Sequence, residues 1–263
     1  SSPLGNFCTL SRLDFSNDSV SLPGKNFPAI RVYSAAVSSS SYGYFGGGYS
    51  PPLNSLNTIS RLDFTSETAT SLTSVFPVPF HDSAPTGVSN KSYGYFGGGY
   101  SSAAPAVMRC NISRLDFSSE TASAPGKNLS SARRSVGAVF SDSDGYFGGG
   151  YLIPNTILTT IDKLNFDTET ISSTVASFPL SRRLSTGVAS RDYGYFGGGK
   201  ALPAASLYSN IVRLNFATST VSIPSSNFTN AHFSQSSFSG GQSIFKPKGG
   251  GSKTYGYYAG GQS

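Results

Sequence analysis

Tryptophan is absent from the 263 residues, and there are only one methionine, two cysteines and two histidines. The histidines, His81 and His232, have no partner at ligand spacing, so no metal or other cofactor is expected. Two cysteines cannot make a disulfide framework. Charge is also scarce, at 12%. Low charge together with 13% aromatic residues excludes a solvated, disordered chain. No apolar run approaches the roughly 20 residues that cross a bilayer as a helix, and no membrane insertion is expected. The net charge is +6, but the 19 basic residues never form a run. Nucleic-acid binding needs them clustered on one face, so nucleic acid is not an expected partner. Serine is the commonest residue, and hydroxyls and amides take the place of charge. That composition points to an extracellular protein or one on a virion or cell surface. With no initiator Met and no signal-peptide pattern, the chain reads as a mature or excised segment.

Against these absences stands an internal repeat. Tyr-Phe-Gly-Gly-Gly recurs at 44–48, 95–99, 146–150 and 195–199, with a degraded copy at 257–261. A second marker follows: Arg-Leu-Asp-Phe at 12–15, 61–64 and 114–117, Lys-Leu-Asn-Phe at 163–166 and Arg-Leu-Asn-Phe at 213–216. Copies lie about fifty residues apart, the period of four-stranded propeller blades. Each repeat resolves into four short strands. Ser135–Phe140 is small and β-branched, as an inner buried strand should be. Asp144–Phe147 leads into glycines, which permit positive φ and close backbone approach. In the third strand, 111–117, Ile112 is out of phase with Leu115, so a slip in the period-two pattern is expected near Ser113. A polar turn, 118–121, then leads to a fourth strand carrying Ala122. The same hairpin occurs five times, and no segment sustains a 3.6-residue apolar period. The expected fold is therefore all-β, a five-bladed β-propeller of four-stranded antiparallel blades, with almost no helix.

At these residues the chain resembles the kelch repeat, whose blades open on a basic residue and end the second strand in Tyr-x-x-Gly-Gly. Tyr44–Gly48 and its copies fit that pattern, and the hairpin at 115–121 fits the third and fourth strands. The chain departs from kelch in lacking its tryptophan, whose place is taken by Val20, Ala69, Ala122, Ile171 and Val221. The resemblance implies a propeller over the whole chain. Its enzymatic branch, a galactose oxidase-like copper site, implies His and Tyr ligands and a Cys–Tyr crosslink that these residues do not supply. Repeat proteins of phage appendages and microbial surface fibres are loosely similar in style.

Joining Ser263 to Ser1 would put 13 residues between Gly261 and Arg12, against 12 between Gly48 and Arg61. The expected single domain, 1–263, closes its ring by sharing one blade between about 229–263 and 1–24. The other blades span about 25–75, 76–127, 128–177 and 178–228. A longer array cut between repeats is the alternative. Residues 240–253, rich in Gly and Lys, read as an exposed loop.

Candidate site residues follow from the repeat. Arg31, His81, Arg133, Arg183 and His232 fall near the position opening each first strand. Such residues are either structural or a polar ring at one channel mouth that attracts an anion or acidic side chain. Arg12/Asp14, Arg61/Asp63 and Arg114/Asp116 read as intra-strand or inter-blade salt bridges. Most tyrosines of the repeat should fill the space between blades, whereas Tyr49, Tyr100 and Tyr151, after the glycines, are candidate loop contacts. The glycine triplets lack the Gly-Lys-Ser/Thr of a phosphate loop. Cys8 and Cys110 share a register in non-adjacent blades, so free thiols or links between chains are expected. Glycosylation sequons stand at Asn17, Asn90, Asn111, Asn128 and Asn227. The expected function is a non-enzymatic structural or adhesive module, a building block of a fibre or virion appendage that associates with itself or with other subunits. The alternative is a multivalent, lectin-like propeller whose partners are glycans.

Overall fold

A computed structural model of the chain describes Leu10 and residues 12–14, 17, 19–21, 26–50, 54–80, 87–101, 107–201, 206–232, 236–239 and 256–259. Among these residues the protein is all-β, with antiparallel sheets and no helix. Four sheets are four-stranded meanders. Sheet 1 contains Ala35–Ser38, Tyr42–Gly46, Thr58–Asp63 and Ala69–Val75. Sheet 2 contains Gly87–Ser89, Tyr93–Gly97, Ile112–Asp116 and Ala122–Ser123. Sheet 3 contains Gly137–Phe140, Asp144–Gly148, Thr160–Asn165 and Ile171–Ser177. Sheet 4 contains Thr186–Ala189, Tyr193–Gly197, Tyr208–Asn215 and Val221–Ser222, with Asn227–His232 added to its third strand. Two hairpins flank this series, Arg12–Asp14 with Ser19–Ser21, and Ser236–Ser239 with Gly256–Ala259. They are separate two-stranded sheets, and no ladder joins them among the described residues. Among the described residues the expected ring closure through one shared blade is therefore not formed as a continuous sheet.

The local structure follows from the two repeated markers. Second and third strands pair without a break, from Tyr93 opposite Asp116 to Gly97 opposite Ile112. The break in period-two packing expected near Ser113 is present in burial, while the pairing register runs through it unshifted. Ile112, Ser113 and Leu115 are all buried because both faces of the strand are covered, which removes the reason for strict alternation. Register shifts occur one ladder further out, between third and fourth strands at Thr58/Ser60 and Ile161/Lys163. In the hairpins between those strands Glu67, Glu120, Glu169 and Ser219 adopt positive φ of 51–54°. The side-chain oxygen of Asp63 accepts the amides of Thr65 and Ser66, and Asp116, Asn165 and Asn215 do the same in their turns. This Asx capping explains why Asp or Asn ends each third strand. After the glycines the chain makes an extra small hairpin that the sequence pattern did not announce. Its strands are Tyr49–Ser50 with Asn54–Ser55, Tyr100–Ser101 with Val107–Met108, and Tyr151–Leu152 with Thr156–Ile157.

The core lies between sheets. One cluster joins Val37, Tyr44, Ile59 and Phe76 of sheet 1 to Phe96 and Leu115 of sheet 2, and two more repeat this arrangement along the series. First strands of successive sheets touch, as do that of sheet 4 and Ser236–Ser239. Aromatic stacks cross each junction: Tyr44–Phe117, Tyr95–Phe166 and Tyr146–Phe216, with ring centres 5.2, 5.5 and 5.2 Å apart. Glycine permits the approach. A Cβ on Gly94, Gly145 or Gly194 would lie 2.5–2.6 Å from a methyl of Val37, Val88 or Val139 of the preceding sheet. A Cβ on Gly187 would stand 1.9 Å from the Ala138 carbonyl oxygen, which is backbone and cannot swing away. Gly187→Ala is expected to destabilise the fold by about 3 kcal/mol or more, because overpacking against backbone must move a strand. Gly126→Ala, facing open space, should cost only the about 1 kcal/mol of its left-handed φ. Urea unfolding of the two variants measures the difference.

Candidate functional site

At the hairpin end of the sheets the repeated charges form inter-sheet clamps. The Arg61 guanidinium donates to both Glu120 oxygens at 2.9 Å, and Tyr44 Oη donates to the same carboxylate at 3.1 Å. Arg114 and Tyr95 meet Glu169 in the same way, at 2.8 and 3.0 Å. Arg12 of the first hairpin pairs with Glu67 of sheet 1. The arginines also lie over tyrosine rings of their own sheets, Arg61 over Tyr42 at 4.7 Å and Arg114 over Tyr93 at 4.9 Å. Glu120 and Glu169 therefore hold Arg61 and Arg114 above the usual guanidinium range, first through their hydrogen bonds. Burial, and then the neighbouring glutamates, push Tyr44 and Tyr95 above the usual phenol range. The salt bridges expected of Arg-x-Asp are thus inter-sheet, but their acid is the next sheet's glutamate. Asp63 and Asp116 instead cap their own turns. The junction between sheets 3 and 4 differs. Ser219 replaces the glutamate, and Lys163 pairs with Asp144 of its own sheet at 3.0 Å.

At the glycine end, arginines cap strands from inside. Arg31 donates to the carbonyls of Gly47 and Thr58 and to the hydroxyls of Thr58 and Ser60. Arg133 donates to the Phe147 carbonyl at 3.1 Å and to Asp162 at 2.7 Å, with both charged side chains fully buried. Arg182 donates to the Gly198 carbonyl at 2.9 Å and to Asn210 at 2.8 Å. Burial lowers all three, and Arg31 and Arg182, at about 10, remain charged at neutral pH.

This placement corrects the proposed polar ring in two positions. The residue equivalent to Arg133 in sheet 4 is Arg182; the sequence reading had placed Arg183 there. In sheet 2 the place belongs to Phe80, where the reading had His81. The backbone bonds establish the register: Gly48, Gly99 and Gly150 amides donate to the carbonyls of Phe80, Arg133 and Arg182. The doublets Arg133-Arg134 and Arg182-Arg183 concealed which member turns inward, and hydrogen bonding to strand carbonyls selects the first. Phe80 joins Phe76 and Phe96 in the core instead. Arg31 and Arg133 thus take structural places. His81 lies outside the described residues, as does the side chain of His232, whose backbone ends Asn227–His232.

The second members form another arrangement with the loop tyrosines. The Arg134 guanidinium lies over Tyr100 at 5.2 Å and Tyr151 at 5.4 Å, and Arg183 lies over Tyr151 at 4.8 Å. Tyr49 packs on Tyr33 at 5.8 Å. Tyr151 Oη donates to the Pro154 carbonyl. The candidate loop aromatics are therefore held by neighbours and partly buried, a role that their position after the glycines alone could not reveal.

A cleft of about 380 Å³ opens between sheets 1 and 2 at the hairpin end, lined by Ser39–Ser41, Tyr42, Lys91, Tyr93, Asp116 and their neighbours. Among the described residues no group of three or more His, Cys, Asp or Glu is placed to hold a metal. Cys110 is a free thiol, and Cys8 lies outside the described residues. Of the sequons, Asn17, Asn111, Asn128 and Asn227 are exposed. Asn90 is half-buried and caps its turn by accepting the amides of Ser92 and Tyr93, and Asn111 donates to Asn128 at 3.3 Å.

Arg182→Ala is expected to cost about 3 kcal/mol, since it leaves a cavity and unpaired acceptors, whereas Arg183→Ala should stay within about 1 kcal/mol. Arg133→Ala should cost about 3–5 kcal/mol, because it strands the buried Asp162 charge. Chemical denaturation of the three variants checks this order. The backbone amides and Ser118 hydroxyl that hydrogen-bond Asp63 and Asp116 keep both carboxyls below their ordinary 3.8. Their contribution to stability is complete above that value and is lost as pH falls through the lowered folded values. Tm measured against pH should therefore drop below about pH 4, and Asp116→Asn should shallow that drop. Raised tyrosines act oppositely: their contribution is complete below the ordinary 10.0 and is lost as pH climbs above it. No protein-family model matches the chain, and a search of curated proteins finds no match.

Proposed function

We propose that this chain is a kelch-like, five-bladed propeller that acts as a non-enzymatic structural and adhesive module, a building block of an extracellular fibre or virion appendage. The observation that carries the reading is the use of the repeated polar groups between sheets. Arg61, Arg114, Tyr44, Tyr95, Glu120 and Glu169 join one sheet to the next. Residues that a repeat reuses for packing serve the scaffold, and each copy makes the same rigid unit. The ends of the series support closure. The first hairpin meets sheet 1 through Arg12 and Glu67, in the same manner as sheet 1 meets sheet 2. The last hairpin packs on the first strand of sheet 4. In a five-membered ring those two places are one blade. Hydroxyl-rich surfaces would then meet other subunits or other copies.

The cleft between sheets 1 and 2 favours a second reading, a lectin-like propeller. Hydroxyls, a lysine, an aspartate and two tyrosine rings are the groups that bind a neutral sugar.

Light scattering at high concentration with electron microscopy separates the readings. A building block should give particles larger than one 27.5 kDa chain and fibres of stacked rings. A monomer at every concentration, with saturable sugar binding that Ser40→Trp blocks, would install the lectin in its place.

A further inference from the structure

Charge is segregated along the strand axis. Apart from Asp162, the carboxylates whose side chains are described lie at the hairpin end, in hairpins 63–69, 116–122 and 165–171 and turns 141–144 and 190–193. Asp162 is buried and committed to Arg133. Arg109, Arg134 and Arg183 lie at the opposite, glycine end. None of these guanidiniums has a hydrogen-bond or ion-pair partner among the described residues, and the Nε of each is buried without one. Among the described residues the end that carries them is thus cationic, and Asp162, the one carboxylate there, is taken by Arg133.

Two of these arginines are held in place. Tyr100, Arg134, Tyr151 and Arg183 form one alternating column across the connections of sheets 2, 3 and 4. Arg134 and Arg183 share the Tyr151 ring, and their distances to its centre bound the separation of the two guanidinium carbons at about 10 Å. Tyr151 is fixed in turn by its bond to Pro154. Stacking keeps a guanidinium planar against the ring and leaves its edge to donate in fork geometry, the arrangement that recognises carboxylate, sulfate or phosphate.

We propose that the Tyr100–Arg134–Tyr151–Arg183 column is a binding site for an acidic polysaccharide, whose carboxylate or sulfate groups are taken by the two stacked guanidiniums. The two guanidiniums occupy equivalent places before sheets 3 and 4, where sheet 1 has Val32, and a linear glycan offers anions at a regular spacing that a folded acidic protein does not. Its hydroxyls suit the serine-rich surroundings. Single-stranded nucleic acid is the weaker fit, because its bases need open aromatic faces and the Tyr151 ring already serves two arginines. The proposal rests on the placement of the sheets. It is independent of the fibre reading and of the cleft at the other end, so a chain that proves monomeric leaves it standing.

The test is titration calorimetry of the full chain with heparin, polygalacturonate, neutral dextran, polyglutamate and an oligo-dT strand at one fixed salt concentration. One or both acidic glycans should bind and dextran should not. Heparin alone would assign sulfate, and polygalacturonate alone would assign carboxylate. Arg134→Ala/Arg183→Ala should weaken glycan binding at least about tenfold, as loss of two charge-assisted contacts requires, with Tm nearly unchanged. Arg134→Lys/Arg183→Lys keeps the charge, loses the fork and should fall between, which also covers an alanine variant that fails to fold. Arg191→Ala, at the hairpin end and outside the cleft, should bind like the parent. The proposal is overturned by glycan binding that the column variants leave intact, by an equal loss in the Arg191 variant, by tighter binding of polyglutamate or oligo-dT, or by no glycan binding.

Discussion

Everything else in this molecule depends on how closely one sheet can approach the next. The valines of each first strand sit against a glycine of the following sheet's second strand, Val37 on Gly94, Val88 on Gly145 and Val139 on Gly194, with no room for a Cβ. At that separation tyrosine and phenylalanine rings stack across the junction, and the core becomes a property of neighbouring pairs of sheets. No sheet of four short strands buries enough on its own, so each needs the next. The glycine of Tyr-Gly-Tyr-Phe-Gly is therefore as much a core residue as the aromatics beside it.

The clamps show what that approach makes possible. A glutamate in a left-handed turn costs on the order of 1 kcal/mol in backbone strain. Glu120 and Glu169 accept that cost, and each then reaches an arginine and a tyrosine of the preceding sheet. Glycine would relieve the turn but leave Arg61 and Arg114 without an acid. The junction between sheets 3 and 4 supports this account by its substitutions. Where Ser219 replaces glutamate, Lys163 stands in the arginine's place and Asp144 in that of Tyr42 and Tyr93, and the two pair within one sheet. Asn165 replaces the turn aspartate, caps the same amides and donates to Asp144. Three positions, Ser219, Lys163 and Asp144, thus change together, consistent with one electrostatic unit.

The strand order, the hairpins and the burial of Tyr44, Tyr95 and Tyr146 were legible in the repeat because period and alternation are local properties. The identity of the inward arginine was not. Arg182 and Arg183 are chemically identical neighbours, and the Gly198 carbonyl and Asn210, sixteen and twenty-eight residues away in the chain, distinguish them. The seven-residue approach from Phe80 to Gly87, against four from Arg133 to Gly137, displaced the alignment at His81. Acid partners were hidden for a related reason. Arg61 sits two residues from Asp63, yet a strand places these on one face and the turn claims the aspartate, so the arginine finds Glu120 in the next repeat. Pairings between repeats of similar sequence leave no mark in either copy alone. The extra hairpins after the glycines, two residues per strand, are too short to carry a periodic pattern.

The same strands are locked differently at their two ends, and this difference gives the molecule a direction. At the hairpin end, cations meet carboxylates across the junctions and the field largely cancels. At the glycine end, the inward arginines are satisfied chiefly by carbonyls and amides, which hydrogen-bond a guanidinium without neutralising it. Asp162 supplies the one buried acid there among the described residues. The outer arginines, Arg134 and Arg183, are then packed against tyrosine rings, whose quadrupole attraction is weaker than an ion pair and leaves the positive charge intact. Uncancelled charge fixed on rigid aromatic supports raises the local potential more than mobile surface lysines would, since nothing has to be ordered before an anion arrives. Among the described residues, a series of sheets that sets all its acids but Asp162 at one end therefore holds stacked, charged arginines at the other.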